Sequence, residues 1–172
     1  MKEGNKKSRA TSGIQLVTFR LGRERYAVPV WKVREIIIPM ETFPIPGMKD
    51  PVDGVINLRG EIIPVVKIYS VLGLEGRRDG VDERKVRIII LDTENGGFGF
   101  IVDEVMEVVR VATEDVQPPP EMGERSMGDQ ALLGIVQISG QMVICLDPGK
   151  LLGGCLNTEE ILASCSTGNE PA

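Results

Sequence analysis

The sequence contains no histidine. That removes the commonest general acid and base near neutral pH. The three cysteines, Cys145, Cys155 and Cys165, include no C-x-x-C spacing. Structural zinc takes four Cys or His ligands at close spacing, so a zinc site is excluded. An odd set of thiols fits a reducing compartment, and Cys145, inside an apolar run, is expected to be a small core residue. Aromatic residues make up only 4% of the chain, which leaves little for base-stacking platforms. Nor is there a basic excess: 20 Lys and Arg stand against 25 Asp and Glu, a net charge of −5. A nucleic-acid binder more often shows a basic face, so no nucleic acid is expected as a partner. No apolar run approaches the ~20 residues of a membrane-spanning helix. Residues 1–13 are polar and basic, without the apolar segment of a secretory signal, and are expected to form a disordered tail. These absences together predict a cytoplasmic protein that meets a membrane only through partners.

With few aromatics, the core must rest on Val, Ile and Leu, a β-rich composition. A chain of 172 residues supports one domain or two small units sharing a core. Ile14–Leu21 reads as a first strand, and Tyr26, Val28 and Val30 alternate as a second. Val33 and Ile36 shift to a spacing of three, one helical turn before a strand running to Pro39. Val55-Ile56 and Ile62–Val66 flank Asn57-Leu58-Arg59-Gly60 as a β-hairpin, with Asn and Gly tolerating the positive φ of a tight reversal. Pro64 lacks an N–H, which predicts an edge strand or a bulge there. Val86–Leu91 and Phe98–Val102 flank an Asn95-Gly96 turn signal, and Ala131–Ile138 and Gln141–Leu146 flank Ser139-Gly140. Asn157 with Glu160 marks a short helix over about Thr158–Cys165.

The chain repeats itself. Tyr26, Val28, Val30, Val33, Glu35 and Ile36 match Phe98, Phe100, Val102, Val105, Glu107 and Val108, and Gly54, Gly60 and Leu72 match Gly134, Gly140 and Leu152. Gly54, Gly60, Gly134 and Gly140 are expected to serve turns. Two copies of a five-strand pattern, each too small to bury its own core well, predict two small barrels packed together.

No nucleophile elbow, phosphate-binding lysine motif or dinucleotide fingerprint occurs. Asp92-Thr93 follows an apolar run as in an aspartic-protease strand, but Glu94 stands where Gly would be needed. It reads as a polar hairpin turn, and Asp103-Glu104 has no second carboxylate expected opposite it. Binding is the better reading. Arg59 at the hairpin tip is a solvated charge or an interface anchor. It has a third possible role, pairing with a carboxylate such as Glu35 to hold the hairpin to the other barrel. Trp31 follows its strand by one place and is expected either to point outward or to lie partly under the neighbouring loop.

The run G-V-x-N-L-R-G-x-I-x-P-V at Gly54–Val65 resembles the CheW family, the adaptors of bacterial chemotaxis. The resemblance runs in order through Phe19–Gly22, Tyr26–Val30, Val33–Ile36, Phe100–Asp103 and Cys145–Asp147, roughly Ile14–Leu152 in all. It implies a mainly β fold of two packed five-stranded SH3-like barrels over 14–153, with a boundary near 74–85. A short helix and a frayed end would occupy 154–172. It implies no catalysis and no cofactor. The implied partners are a CheA-type histidine kinase and the cytoplasmic tips of methyl-accepting chemoreceptors, in membrane-associated receptor arrays. The implied partner-binding residues are Val33, Glu35 and Val108 of a receptor groove, with Asn57, Leu58, Arg59 and Gly60 of the hairpin. Lys67 departs from the family, which usually has Asp there. The same domain in a non-flagellar chemosensory pathway is the alternative; a small barrel enzyme is the rival of another class.

Overall fold

The computed structural model describes residues 12–48, 51–76, 78–94, 96–120 and 131–151. The expected C-terminal helix lies outside the described residues, as does the expected tail up to residue 11; Gly13 already belongs to the first strand. Among the described residues ten strands follow in order: β1 (Gly13–Leu21), β2 (Glu24–Pro29), β3 (Val33–Ile37), β4 (Val52–Leu58), β5 (Glu61–Val66), β6 (Arg87–Thr93), β7 (Gly96–Val102), β8 (Glu104–Ala112), β9 (Leu132–Ile138) and β10 (Gln141–Leu146). The described helices are short: α1 (Ile68–Val71), α2 (Pro148–Leu151), and single 3₁₀ turns at Val30–Lys32 and Thr113–Asp115. The helical turn expected near Val33 therefore falls just before it.

The strands form two five-stranded sheets, β8-β1-β2-β10-β9 and β3-β6-β7-β5-β4. Mapping β1–β5 onto β6–β10 turns one order into the other. The copies are therefore equivalent but exchanged: β1 and β2 complete the sheet of β8–β10, while β6 and β7 complete the sheet of β3–β5. The segment 74–85 thus separates two copies of the sequence pattern, not the two sheets. Sequence similarity shows which strands are alike; it carries no information on which copy each strand joins.

Alternation along the strands explains the three cores. Ile88 and Ile90 face Ile56, Ile63 and Val65 inside the second sheet. Leu16, Ala27, Val136, Val143 and Cys145 fill the first. The opposite faces meet between the sheets, where Phe19, Tyr26, Val28, Ile89, Leu91, Phe98 and Phe100 pack with Leu146 and Leu151. Most of the few aromatic residues are spent here, with Phe19 and Phe100 ring centroids 5.4 Å apart. Burial pushes the Cys145 thiol up to about 11, as a core cysteine should behave.

Each sheet curls until the chain after one edge strand reaches the other edge. Phe43, beyond β3, bridges Val55 of β4, and Gln117, beyond β8, bridges Ile135 of β9. The closure accounts for two glycines differently from expectation. Gly60 and Gly140 do serve turns, at φ 89° and 78°. Gly54 and Gly134 lie inside strands. A Cβ on Gly54 would stand 2.5 Å from the Phe43 carbonyl oxygen, and one on Gly134 would stand 2.6 Å from that of Gln117. Gly54→Ala and Gly134→Ala are expected to lose about 1–3 kcal/mol of stability through overpacking against backbone. Denaturation midpoints test this; unchanged midpoints in both would mean the seam is loose.

Of the two places expected for Pro64, the edge is ruled out, since β5 lies between β7 and β4, and the bulge of the β4–β5 pair falls beside it, where Val52 and Gly54 face Val66 and Val65. The partner of Pro64, Val55, exchanges both backbone bonds with Phe43, on the far side, so Pro64 sits where β4 and β5 exchange none. The pairing of β5 with β7 begins one residue later, at Val65. A missing N–H is tolerated at such a place.

Candidate functional site

The hairpin of β4 and β5 turns through two residues, Arg59 and Gly60, with Leu58 opposite Glu61. Both turn residues have positive φ, 52° and 89°, as a tight turn matching the strand twist requires. The left-handed residue is therefore Arg59 rather than Asn57. Asn57 works through its side chain: Oδ1 accepts the Gly60 N–H at 2.8 Å and clamps the turn.

Arg59 then reaches across the seam. Its Nη1 donates to both carboxylate oxygens of Glu35, each at 3.1 Å. β3 and β4 are the opposite edges of one sheet, so the pair joins the sheet to itself and not to the other barrel. The Arg59 side chain is 74% exposed and that of Glu35 26%. An exposed pair of this kind adds at most about 1 kcal/mol to folding. Among the described residues only Nη1 of this largely exposed guanidinium is engaged.

The structure therefore brings Glu35, Asn57, Arg59 and Gly60 into one constellation. Leu58 is half-buried against the core of the same sheet, and Val33 against the core between the sheets. Val108 stands apart on β8, an edge of the other sheet, 59% exposed. Trp31 is also exposed.

Sequence reasoning missed a second charged group beside this one. A bulge in β3, opposite Leu91 and Ile90, makes Arg34 the extra residue. Its guanidinium donates to Asp92 Oδ1 from Nε at 2.9 Å and from Nη2 at 2.5 Å, and to Glu61 Oε2 from Nη1 at 2.8 Å. The hydrogen bond to Asp92 raises the Arg34 pKa still further above its ordinary value. Asp92 is thus not a turn residue: it lies in β6, opposite Gly97.

Asp103 is 1% exposed and fully engaged. It accepts the Gly22 N–H at 2.6 Å, the Tyr69 hydroxyl, and Arg78 Nε at 3.4 Å. Burial, then this bond to Asp103, raises the Tyr69 pKa. The carboxylate ties the β1–β2 turn, α1 and the crossing segment together, a structural task. A cavity of about 350 Å³ lies beside it, lined by Asp53, Lys67, Tyr69, Glu75 and Arg78 among others, and includes none of the candidate site residues. Among the described residues, no helix is long and apolar enough to cross a membrane.

Two packed sheets with a charged pair held out at a hairpin tip make a frame suited to binding other proteins. The family model described as the CheW-like domain matches residues 15–154, and the chain belongs to that family. Its members are non-catalytic scaffolds and adaptors of chemotaxis, and this chain is one of them. It is 36% identical over 138 residues to the chemotaxis protein CheW of Treponema pallidum, covering 80% of this chain and 81% of that one. It is 31% identical over 136 residues to protein FrzA of Myxococcus xanthus, covering 78% and 82%. Among solved structures it is similar to the scaffolding protein TtCheW from Thermoanaerobacter tengcongensis, with a TM-score of 0.72, 29% identity, and coverage of 81% and 87%.

Proposed function

We propose that this chain couples the cytoplasmic tips of methyl-accepting chemoreceptors to a CheA-type histidine kinase, within membrane-associated receptor arrays. The domain carrying this task spans 14–153. The receptor-binding surface comprises Val33, Glu35, Asn57, Leu58, Arg59, Gly60 and Val108, and the kinase meets a separate face. The observation that carries the reading is the Arg59–Glu35 pair: a part-buried carboxylate holds one nitrogen of an arginine that is otherwise largely exposed and makes no other side-chain bond among the described residues. An arginine fixed in place and only partly satisfied is a suitable anchor at a protein interface. Tethering many such contacts in an array lets modest affinities add up.

Co-sedimentation tests it. Receptor-containing membranes are expected to pellet the kinase when this protein is added and to pellet much less without it. Equal pelleting in both cases would refute the coupling role.

A further inference from the structure

The duplicated fold supplies its own internal comparison. Both copies carry the same bulge. In the first sheet β1 and β8 slip register between Val17 and Phe19, opposite Val108 and Val105; in the second β6 and β3 slip opposite Glu35 and Val33. Arg34 and Met106 occupy the equivalent bulged positions. Both copies also turn their hairpin through a left-handed non-glycine, Arg59 at φ 52° and Ser139 at φ 51°. The backbones agree, but the chemistry does not. Where one sheet has Arg34, Asp92, Glu61 and Gly97, the other has Met106, Arg20, Gln141 and Arg25. Arg20 pairs instead with Glu104.

The two bulges are also pinned differently. In the first sheet the Thr18 hydroxyl donates to the Glu107 carbonyl oxygen at 2.8 Å and accepts the Glu107 N–H at 3.1 Å. The equivalent of Thr18 is Ile90, which has no hydroxyl and is buried in the core. The polar hold on the second bulge comes from Arg34, forked onto Asp92 and reaching Glu61. Room for the fork comes from Gly97, where a Cβ would stand 2.7 Å from Arg34 Nη2. Asp92 and Glu61 continue the rows of Ile88 and Ile90, and of Ile63 and Val65, that face the sheet's own core. The cluster therefore caps that core at the end where Glu35, the next residue after Arg34, meets Arg59.

We propose that Arg34 is a positioning residue: clamped by Asp92 and Glu61, it fixes the bulge that aims Glu35 at Arg59, and so sets the geometry of the docking pair. The other copy has Met106 and Gln141 at the positions of Arg34 and Glu61, so a charged clamp is not what the architecture itself demands. A bulge re-aims a side chain, and a planar fork holding two carboxylates restricts it more than an ammonium can. The inference rests on reading Arg59 and Glu35 as the receptor-docking pair.

The test uses the full chain with Arg34→Met, which borrows the residue of the other copy, and Asp92→Asn, which weakens the fork from its far side. Arginine side-chain NMR signals of Arg59, measured without partner, report whether its guanidinium is held. Both variants are expected to loosen Arg59 and weaken receptor-membrane binding by about five-fold or more, equivalent to roughly 1 kcal/mol. Their melting temperatures are expected to stay within about 2 °C of the parent, much less than a core lesion causes. Unchanged Arg59 signals in both variants would overturn the proposal. So would a melting temperature that falls in step with the binding. If Arg59→Asn itself leaves receptor binding intact, the docking reading fails, and the Arg59 signals in Arg34→Met still decide the positioning.

Discussion

Cut between residues 74 and 85, the chain is expected to yield two fragments that are unfolded apart and fold when mixed. The first fragment keeps β1–β5 and the second β6–β10, yet neither holds a complete sheet. β1 and β2 lose both neighbours, β8 and β10, and β3 loses β6. What remains local is a set of hairpins, and an isolated hairpin is marginal in water. The core between the sheets is also divided, with Phe19, Tyr26 and Val28 in one fragment and Ile89, Leu91, Phe98 and Phe100 in the other. Circular dichroism and dispersed NMR signals of each fragment, alone and mixed, check this. The instructive contrary result is a fragment folded by itself. It would mean that β1 and β2 can take the places of β6 and β7, their equivalents, and that a single copy closes into a sheet as domain-swapped proteins do.

That exchange marks where sequence reasoning stops. Strand existence was legible because alternation and turn residues are local: the Asn57–Gly60 and Ser139-Gly140 hairpins stand where the pattern puts them. The equivalence of the copies was legible for the same reason. Partner choice was not, because Ile88 and Leu16 look alike whichever copy receives them. Gly54 was read as a turn residue because its reason, the Phe43 carbonyl, is eleven positions away and visible only after closure. Arg34 was passed over because a charge in a strand is ordinarily solvated; only the bulge and Gly97 give it a place. The Glu35–Arg59 contact was available as a pairing, but its direction, within one sheet, follows from the curl of the strands.

Replacing Arg59 is the second large expected effect, and it should separate binding from stability. Arg59 has a left-handed backbone, which costs a residue with a Cβ roughly 1–2 kcal/mol. Asn tolerates that conformation far better and makes the preferred Asn-Gly turn. Arg59→Asn should therefore melt at the parental temperature or above it, since the lost exposed ion pair was worth at most about 1 kcal/mol. Arg59→Ala keeps the strain and loses the pair, so it should melt slightly lower. Both should weaken receptor binding by about five- to 150-fold, the loss of an interface arginine worth roughly 1–3 kcal/mol. Arg59→Lys should recover only part of this, because an ammonium cannot hold Glu35 and a partner through separate edges of a planar group. Strain kept at a residue where Asn would relieve it is understandable if the side chain is needed for something other than folding.

The proposed coupling role requires one protein to present two separate faces. Arg59→Asn addresses it most directly, by titrating the variant against purified kinase and against receptor-containing membranes. The account predicts that the kinase dissociation constant stays within about two-fold, a change of less than roughly 0.5 kcal/mol, while receptor binding falls at least about five-fold. Equal weakening toward both partners, in a variant whose melting temperature is unchanged, would contradict it.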